Sequence, residues 1–168
     1  MKNNSNFTKP VKATIYLGKI PLDVYQTDDK NYLLHIESVT GAIDEETRDI
    51  ESFIKGKSEL ALPFKGCNLN RFEMFWVEDE QVIIRSIPVR LATSYWHYRS
   101  KNGNKKADAI VQACIIESVK RRADSAFKVK RTEFDYNKIF AGNYEEVLAE
   151  DREEIKNRRY LVMTYIYQ

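Results

Sequence analysis

Asn104-Lys105-Lys106-Ala107-Asp108-Ala109-Ile110-Val111-Gln112-Ala113-Cys114-Ile115-Ile116-Glu117-Ser118-Val119-Lys120-Arg121-Arg122-Ala123-Asp124-Ser125-Ala126-Phe127 reads as a single helix, and the rest of the chain arranges itself around it. At 1.5 Å per residue it is about 36 Å long. Its first half, Ala107 to Ile116, is apolar on nearly every side, as expected of a central core helix. Its second half places Glu117, Lys120, Arg121, Arg122 and Asp124 at spacings that permit ion pairs with helical neighbours. Lys101-Asn102-Gly103-Asn104 breaks it from a preceding helix, Val89 to about Ser100, which Ser86 and Pro88 introduce. That helix exposes Arg90 and Arg99 and packs Leu91, Tyr95 and Tyr98. Its run Tyr95-Trp96-His97-Tyr98 cannot point wholly inward, and core or dimer packing explains it better than a base-stacking platform. A further helix is predicted over Tyr144 to Asn157. The tail, Arg158 to Gln168, fits either helix or strand.

Toward the N-terminus the period changes. Lys12 to Gly18 alternates, with Ala13, Ile15 and Leu17 on one face. Ile20 to Tyr25 reads as a second strand, at a sheet edge because Pro21 has no N–H to give a ladder. Thr27-Asp28-Asp29-Lys30-Asn31 is turn chemistry, and Tyr32 to Leu34 closes a small antiparallel sheet. Leu34 to Ile43 then reads as a short helix interrupted by Gly41. Asp44 is the predicted cap of a second helix with Ile50, Phe53 and Ile54 as its buried stripe and Gly56 as its stop. Two short helices after a hairpin suggest a helix-turn-helix-like unit. Residues 57–68 read as a loop, and Phe72 to Val77 with Gln81 to Ile87 as a second hairpin. The fold class is therefore α+β: small antiparallel sheet or sheets with short helices, then a helical C-terminal half around a long central helix. Residues 1–10 are expected to be a flexible N-terminus. Residues 11–168 form a single α+β domain, divided into 11–66 (sheet plus two short helices) and 67–168 (hairpin and helical region).

A chain of 168 residues with 43% hydrophobic and 31% charged residues encloses a core without disulfide or metal staples. No run approaches the roughly 18 apolar residues of a spanning helix. Met1 to Lys9 lacks the apolar stretch of a secretory signal. Cys67 and Cys114 lie far apart, which argues against export and a zinc site and for reduced thiols in a cytoplasmic protein. The net charge of +2 hides an asymmetry: residues 85–131 hold 12 Lys and Arg against 3 Asp and Glu, between two mildly acidic flanks. A basic centre of this size calls for an anionic partner or for pairing inside the fold.

Ile15-Tyr16-Leu17-Gly18-Lys19-Ile20-Pro21-Leu22, followed by Tyr32-Leu33-Leu34-His35-Ile36-Glu37-Ser38-Val39-Thr40-Gly41, resembles the opening of Bro-N and KilA-N-like phage antirepressor domains. Lys101 to Ala107 and Ile116 to Phe127 look like segments of uncharacterised cyanobacterial and phage-derived proteins. The first resemblance implies a small sheet ahead of helices, an antirepressor-like character for 11–66, and DNA binding.

The residues that suit phosphate or base contact are Lys55 and Lys57 at the end of the second short helix; Arg90, Arg99, Lys101, Asn102, Asn104, Lys105 and Lys106 around the helical break; and Lys128, Lys130 and Arg131 after the long helix. Lys120 to Arg122 are better explained by pairing within the helix. His35 and His97 have no His or Cys at ligand spacing, no glycine loop for phosphate and no nucleophile elbow appears, and no catalytic residue, metal or cofactor is assigned. Asp23, Asp28, Asp29, Glu37, Glu73, Glu78 and Glu80 flank the strands, where capping and solvation explain them. Three readings follow: a cytoplasmic DNA-binding regulator of phage or mobile-element type, contacting double-stranded DNA; a protein-interaction or inhibitor module acting on a host protein; and a Mg²⁺-dependent sequence-specific endonuclease. Surplus apolar surface on Ala107 to Ile116 and on Tyr160 to Tyr167 predicts a homodimer, with no membrane partner.

Overall fold

Gly18 and Lys19 reverse the chain in two residues, with Gly18 at φ +64°, the sign that a two-residue hairpin turn requires at its first central position. The strands they join are β1 (Val11–Leu17) and β2 (Ile20–Gln26). The computed structural model describes residues 11–67, 74–77 and 82–166. After β2 come β3 (Tyr32–His35), α1 (Ile36–Gly41), α2 (Thr47–Lys55), a 3₁₀ segment (Glu59–Phe64), β4 (Met74–Val77), β5 (Val82–Pro88), α3 (Val89–Lys101), α4 (Lys105–Ala126) and α5 (Glu133–Ile166). The class is α+β, with the sheet first and the long helices after it. The expected flexible N-terminus, together with Phe72, Glu73, the expected turn Glu78 to Glu80 and Gln81, lies outside the described residues.

The two expected hairpins are parts of one sheet, ordered β1-β2-β3-β5-β4. Its centre is β3 against β5, with Leu34 opposite Ile87 and His35 opposite Ser86. This order corrects the reading of Pro21: β2 lies inside the sheet, between β1 and β3. Proline is tolerated there because β3 covers only Val24–Gln26 of β2. On that side of β2 the N–H of Asp23 already reaches the Ser38 hydroxyl instead of a strand, so the missing N–H of Pro21 breaks no rung.

Helix α1 is shorter than expected because Leu34 and His35 belong to β3. Asp44 does not cap α2; it sits at φ +57° in the connecting turn. Glu46 is the cap residue, and its N–H donates to the Asp49 carboxylate at 2.8 Å. The expected stripe of Ile50, Phe53 and Ile54 is buried. Phe53 lies 5.7 Å from the Tyr95 ring, whose hydroxyl donates to Glu45. Inside the expected loop, Ser58 caps a 3₁₀ turn that buries Ala61 and Phe64.

The largest correction is α5. It is one helix of 34 residues, whereas only Tyr144 to Asn157 was expected. Its start is set by Thr132 and Asp135: the Asp135 carboxylate accepts from the Thr132 N–H at 2.9 Å, and Thr132 Oγ1 accepts from the Asp135 N–H at 3.2 Å. This reciprocal box satisfies two end donors at once. The undecided tail continues as helix to Ile166.

Packing divides the chain into two compact units, residues 1–15 with 21–95, and residues 16–20 with 96–168. The first unit holds the Ile36, Val39, Ile50, Phe53, Ile87, Leu91 and Tyr95 core. In the second, α4 buries Ala107, Ala109, Ile110 and Ala113, and α5 buries Tyr136 and Phe140. The core-helix reading of α4 holds for one face only, since Ile115 and Val119 are 59% and 62% exposed. Asn137 of α5 holds the hairpin tip: its Oδ1 accepts from the Gly18 N–H at 2.7 Å and its Nδ2 donates to the Gly18 carbonyl at 2.9 Å. Asn137→Ala removes both bonds and leaves two backbone groups to water; it is expected to cost about 1–3 kcal/mol, read as a lower urea midpoint with an unchanged slope.

Candidate nucleic-acid interface

The break between α3 and α4 is built by its own polar residues. The Asn102 N–H donates to the carbonyls of Tyr98 and Arg99, the Asn104 N–H returns to Arg99 at 2.9 Å, and Gly103 takes φ +88°. Both asparagine side chains serve helix ends. Asn102 Nδ2 donates to the Tyr98 carbonyl at 2.7 Å, and Asn104 Oδ1 accepts from the Ala107 N–H at 2.9 Å as the cap of α4. Asp108 then ties the two helices, accepting from the Ser100 hydroxyl at 2.6 Å and from Gln112 at 2.8 Å. Of the cations expected here, Arg99, Lys105 and Lys106 interact within the chain. Lys101 is exposed, with no side-chain partner among the described residues. Asn104→Ala is expected to destabilise the fold by about 1 kcal/mol, while Asn104→Asp keeps the cap; thermal melts of the two variants separate a capping role from a loss of any other kind.

The far end of α4 is an ion-pair knot. Asp124, 8% exposed, accepts from Arg131 Nε at 2.7 Å and from the Tyr136 hydroxyl at 3.0 Å. Arg121 pairs with Glu117 one turn back and grips Glu133 through both terminal nitrogens at 2.7 Å. Its guanidinium also lies 3.9 Å from the centre of the Tyr136 ring. The expectation that Glu117 pairs within the helix is met. Asp124 differs: α4 ends at Ala126, Lys128 turns the chain at φ +55°, and Arg131 is brought back to it from seven residues on. Arg131 is thus committed inside the fold, whereas Lys120, Arg122, Lys128 and Lys130 are exposed and make no side-chain hydrogen bond or ion pair with a described residue, the charge of Lys120 adding only a smaller pull on the Asp124 carboxyl.

The hydrogen bond from Arg131, and after it that from Tyr136, holds the Asp124 carboxyl below its usual value of 3.8. Arg121 does the same for Glu133, and the Thr132 backbone N–H for Asp135. Because these folded values are depressed, the stability they contribute is present above the ordinary carboxylate range and is lost as pH falls through the folded values. Asp124→Asn is expected to lower the melting temperature near neutral pH and to flatten its fall below about pH 4; melts across pH 2–7 for both proteins check this.

In the first unit, Lys55 ends α2 and Lys57 follows it, both exposed and without a side-chain partner among the described residues. Arg85 is 3.7 Å from Glu51. An open groove of about 530 Å³ runs between the turn after β2 and the start of α3, lined among others by Lys30, Tyr32 and Arg90. Lys30 escaped the sequence reading because Asp28 and Asp29 beside it mask its charge; in the fold Asp29 is occupied by Thr27 and Asn31.

Among the described residues no group of three or more His, Cys, Asp or Glu is arranged to hold a metal ion. Asp23 is held by Lys12 at 3.3 Å and Thr14 at 2.8 Å, and Glu73, Glu78 and Glu80 lie outside the described residues. Burial pushes the Cys114 thiol up to about 11, while Cys67 is exposed. Within Tyr95-Trp96-His97-Tyr98, the first two side chains are buried and His97 is exposed. No helix of the described residues is long and apolar enough to cross a membrane. No family model, no curated protein and no solved structure matches the chain.

Proposed function

We propose that this chain binds duplex DNA through cations that the fold leaves unpaired, as a cytoplasmic regulator of the phage or mobile-element type. The observation that carries the reading is how the basic stretch is divided. Of the twelve Lys and Arg between residues 85 and 131, Arg85, Arg121 and Arg131 are spent on Glu51, Glu117 and Asp124. Arg90, Lys101, Lys120, Arg122, Lys128 and Lys130 make no side-chain hydrogen bond or ion pair with a described residue. In the second unit these lie toward the two ends of α4, whose 22 residues span about 33 Å. One turn of duplex DNA repeats its backbone at about 34 Å, so phosphates one turn apart match the two ends. The resemblance of Ile15–Leu22 and Tyr32–Gly41 to Bro-N and KilA-N-like openings favours the same partner. Arg131, Asn102 and Asn104 are left out of the proposed contact set because their side chains hold the fold.

Affinity for a duplex is expected to fall steeply with salt, each lysine–phosphate contact contributing about one unit to the slope of log K against log salt. Fluorescence anisotropy between about 50 and 200 mM salt measures it. Lys101→Gln, Lys128→Gln and Lys130→Gln combined should flatten the slope by about three units without altering the melting temperature. Absence of binding at the lowest salt overturns the proposal. A second reading, a protein-interaction module, draws on the exposed Ile115, Val119, Phe127 and Phe134; retention of a host protein after nuclease treatment, with no duplex affinity, would favour it.

A further inference from the structure

We infer that the groove between the β2–β3 turn and the start of α3 is a nucleotide site, taking a planar base together with its phosphate. The inference does not rest on the duplex reading, whose Lys101, Lys128 and Lys130 belong to the other compact unit. The residues that line the groove all belong to the first unit.

The groove follows from where the sheet ends. Leu33 stands opposite Pro88 in the β3–β5 ladder. One residue further along, the two chains part: Tyr32 leads back into the turn, and Val89 begins α3. Leu33 and Pro88 give the opening between them an apolar base. Its volume of about 530 Å³ lies within the roughly 300–1,000 Å³ of small-ligand sites.

Each side of the opening brings a cation. Lys30 is carried by a turn closed on itself: its N–H donates to the Thr27 carbonyl and the Thr27 N–H donates to the Asn31 carbonyl, both at 3.0 Å. Arg90 is the second residue of α3. Both cations are exposed, and neither makes a side-chain hydrogen bond or ion pair with a described residue. Asp29, the acid of the lining, already accepts from the Thr27 hydroxyl and from Asn31 Nδ2. Two unpaired cations bordering one groove suit an anion. The first turn of α3 holds no acidic residue, so the positive end of that helix adds to the same field. A phosphate alone would leave most of the volume and the tyrosine unused. Tyr32 is 55% exposed, and Gln26 Nε2 donates to its hydroxyl at 3.2 Å, which tethers the ring. A tethered, exposed aromatic ring beside cations is the combination that stacks a base while its phosphate is paired.

Amide NMR during titration with adenosine 5′-monophosphate is the test. The amides of Lys30 to Leu33, Val89 and Arg90 are expected to shift together, with a Kd below about 1 mM. Adenosine and inorganic phosphate, each lacking half of the ligand, should bind at least about tenfold more weakly. Lys30→Asn, a residue suited to the φ of +65° at this position, combined with Arg90→Gln should cost at least about tenfold in affinity. Tyr32→Leu should cost about fivefold or more, and Tyr32→Phe less than about twofold. Lys101→Gln, Lys128→Gln and Lys130→Gln combined should leave nucleotide binding unchanged, which separates this site from the duplex contacts. A short 5′-phosphorylated single strand, titrated in parallel, identifies the source: tighter binding than the mononucleotide assigns the site to an unpaired strand, weaker binding to a free nucleotide. No shift at these amides with either probe at about 5 mM overturns the inference. So does inorganic phosphate binding as tightly as the nucleotide, or nucleotide affinity indifferent to the Lys30, Arg90 and Tyr32 changes.

Discussion

A carboxylate taken almost wholly out of water must be met by donors, and Asp124 is met by two, Arg131 and Tyr136, from beyond the end of its own helix. That requirement folds the chain back after α4 and sets where α5 begins to pack. Arg121 reinforces it by gripping Glu133 in the first turn of α5 while stacking on Tyr136. The turn is thus specified by directional, charged bonds as well as by the alanine-rich face of α4. Removing one partner would strand the other, so the group acts as a unit.

The same knot decides which charges remain for a partner. Basic residues between 85 and 131 look equivalent in composition, yet they divide into a structural set and an unpaired set. Arg85, Arg121 and Arg131 reach acids with planar, multi-donor guanidinium groups. The residues left unpaired are mostly lysines, whose compact, hydrated ammonium groups suit exposed phosphate contact better than buried pairing. The proposed contact surface is in this sense what the fold does not consume.

Much of the architecture was legible because it is local. Periodicity located α2, α3 and α4, and the turn chemistry of Thr27 to Asn31 located the end of β2 and the start of β3. Asn104 was correctly placed at a helix start, but its side chain was read as a base contact although a residue at that position is first of all a cap. Thr132 and Asp135 are a readable helix start that went unrecognised, which is why α5 was expected eleven residues too late. Other features are not local and had no signal. The β3–β5 ladder joins residues more than fifty apart, and Asn137 reaches Gly18 across 119 positions. For the candidate site, the lysines were visible by composition; which of them were free depended on the tertiary partners of Asp124, Glu117 and Glu51.

On the proposed reading, pairing inside the fold separates the cations offered to DNA from the cations that hold the structure. Side-chain NMR of Lys and Arg nitrogens during titration with a duplex tests it most directly. Signals of Lys101, Lys120, Arg122, Lys128 and Lys130 are expected to shift in proportion to bound DNA, while those of Arg85, Arg121 and Arg131 stay fixed. Shifts at Arg121 and Arg131 with none at the lysines, or no shifts at all, would contradict the account.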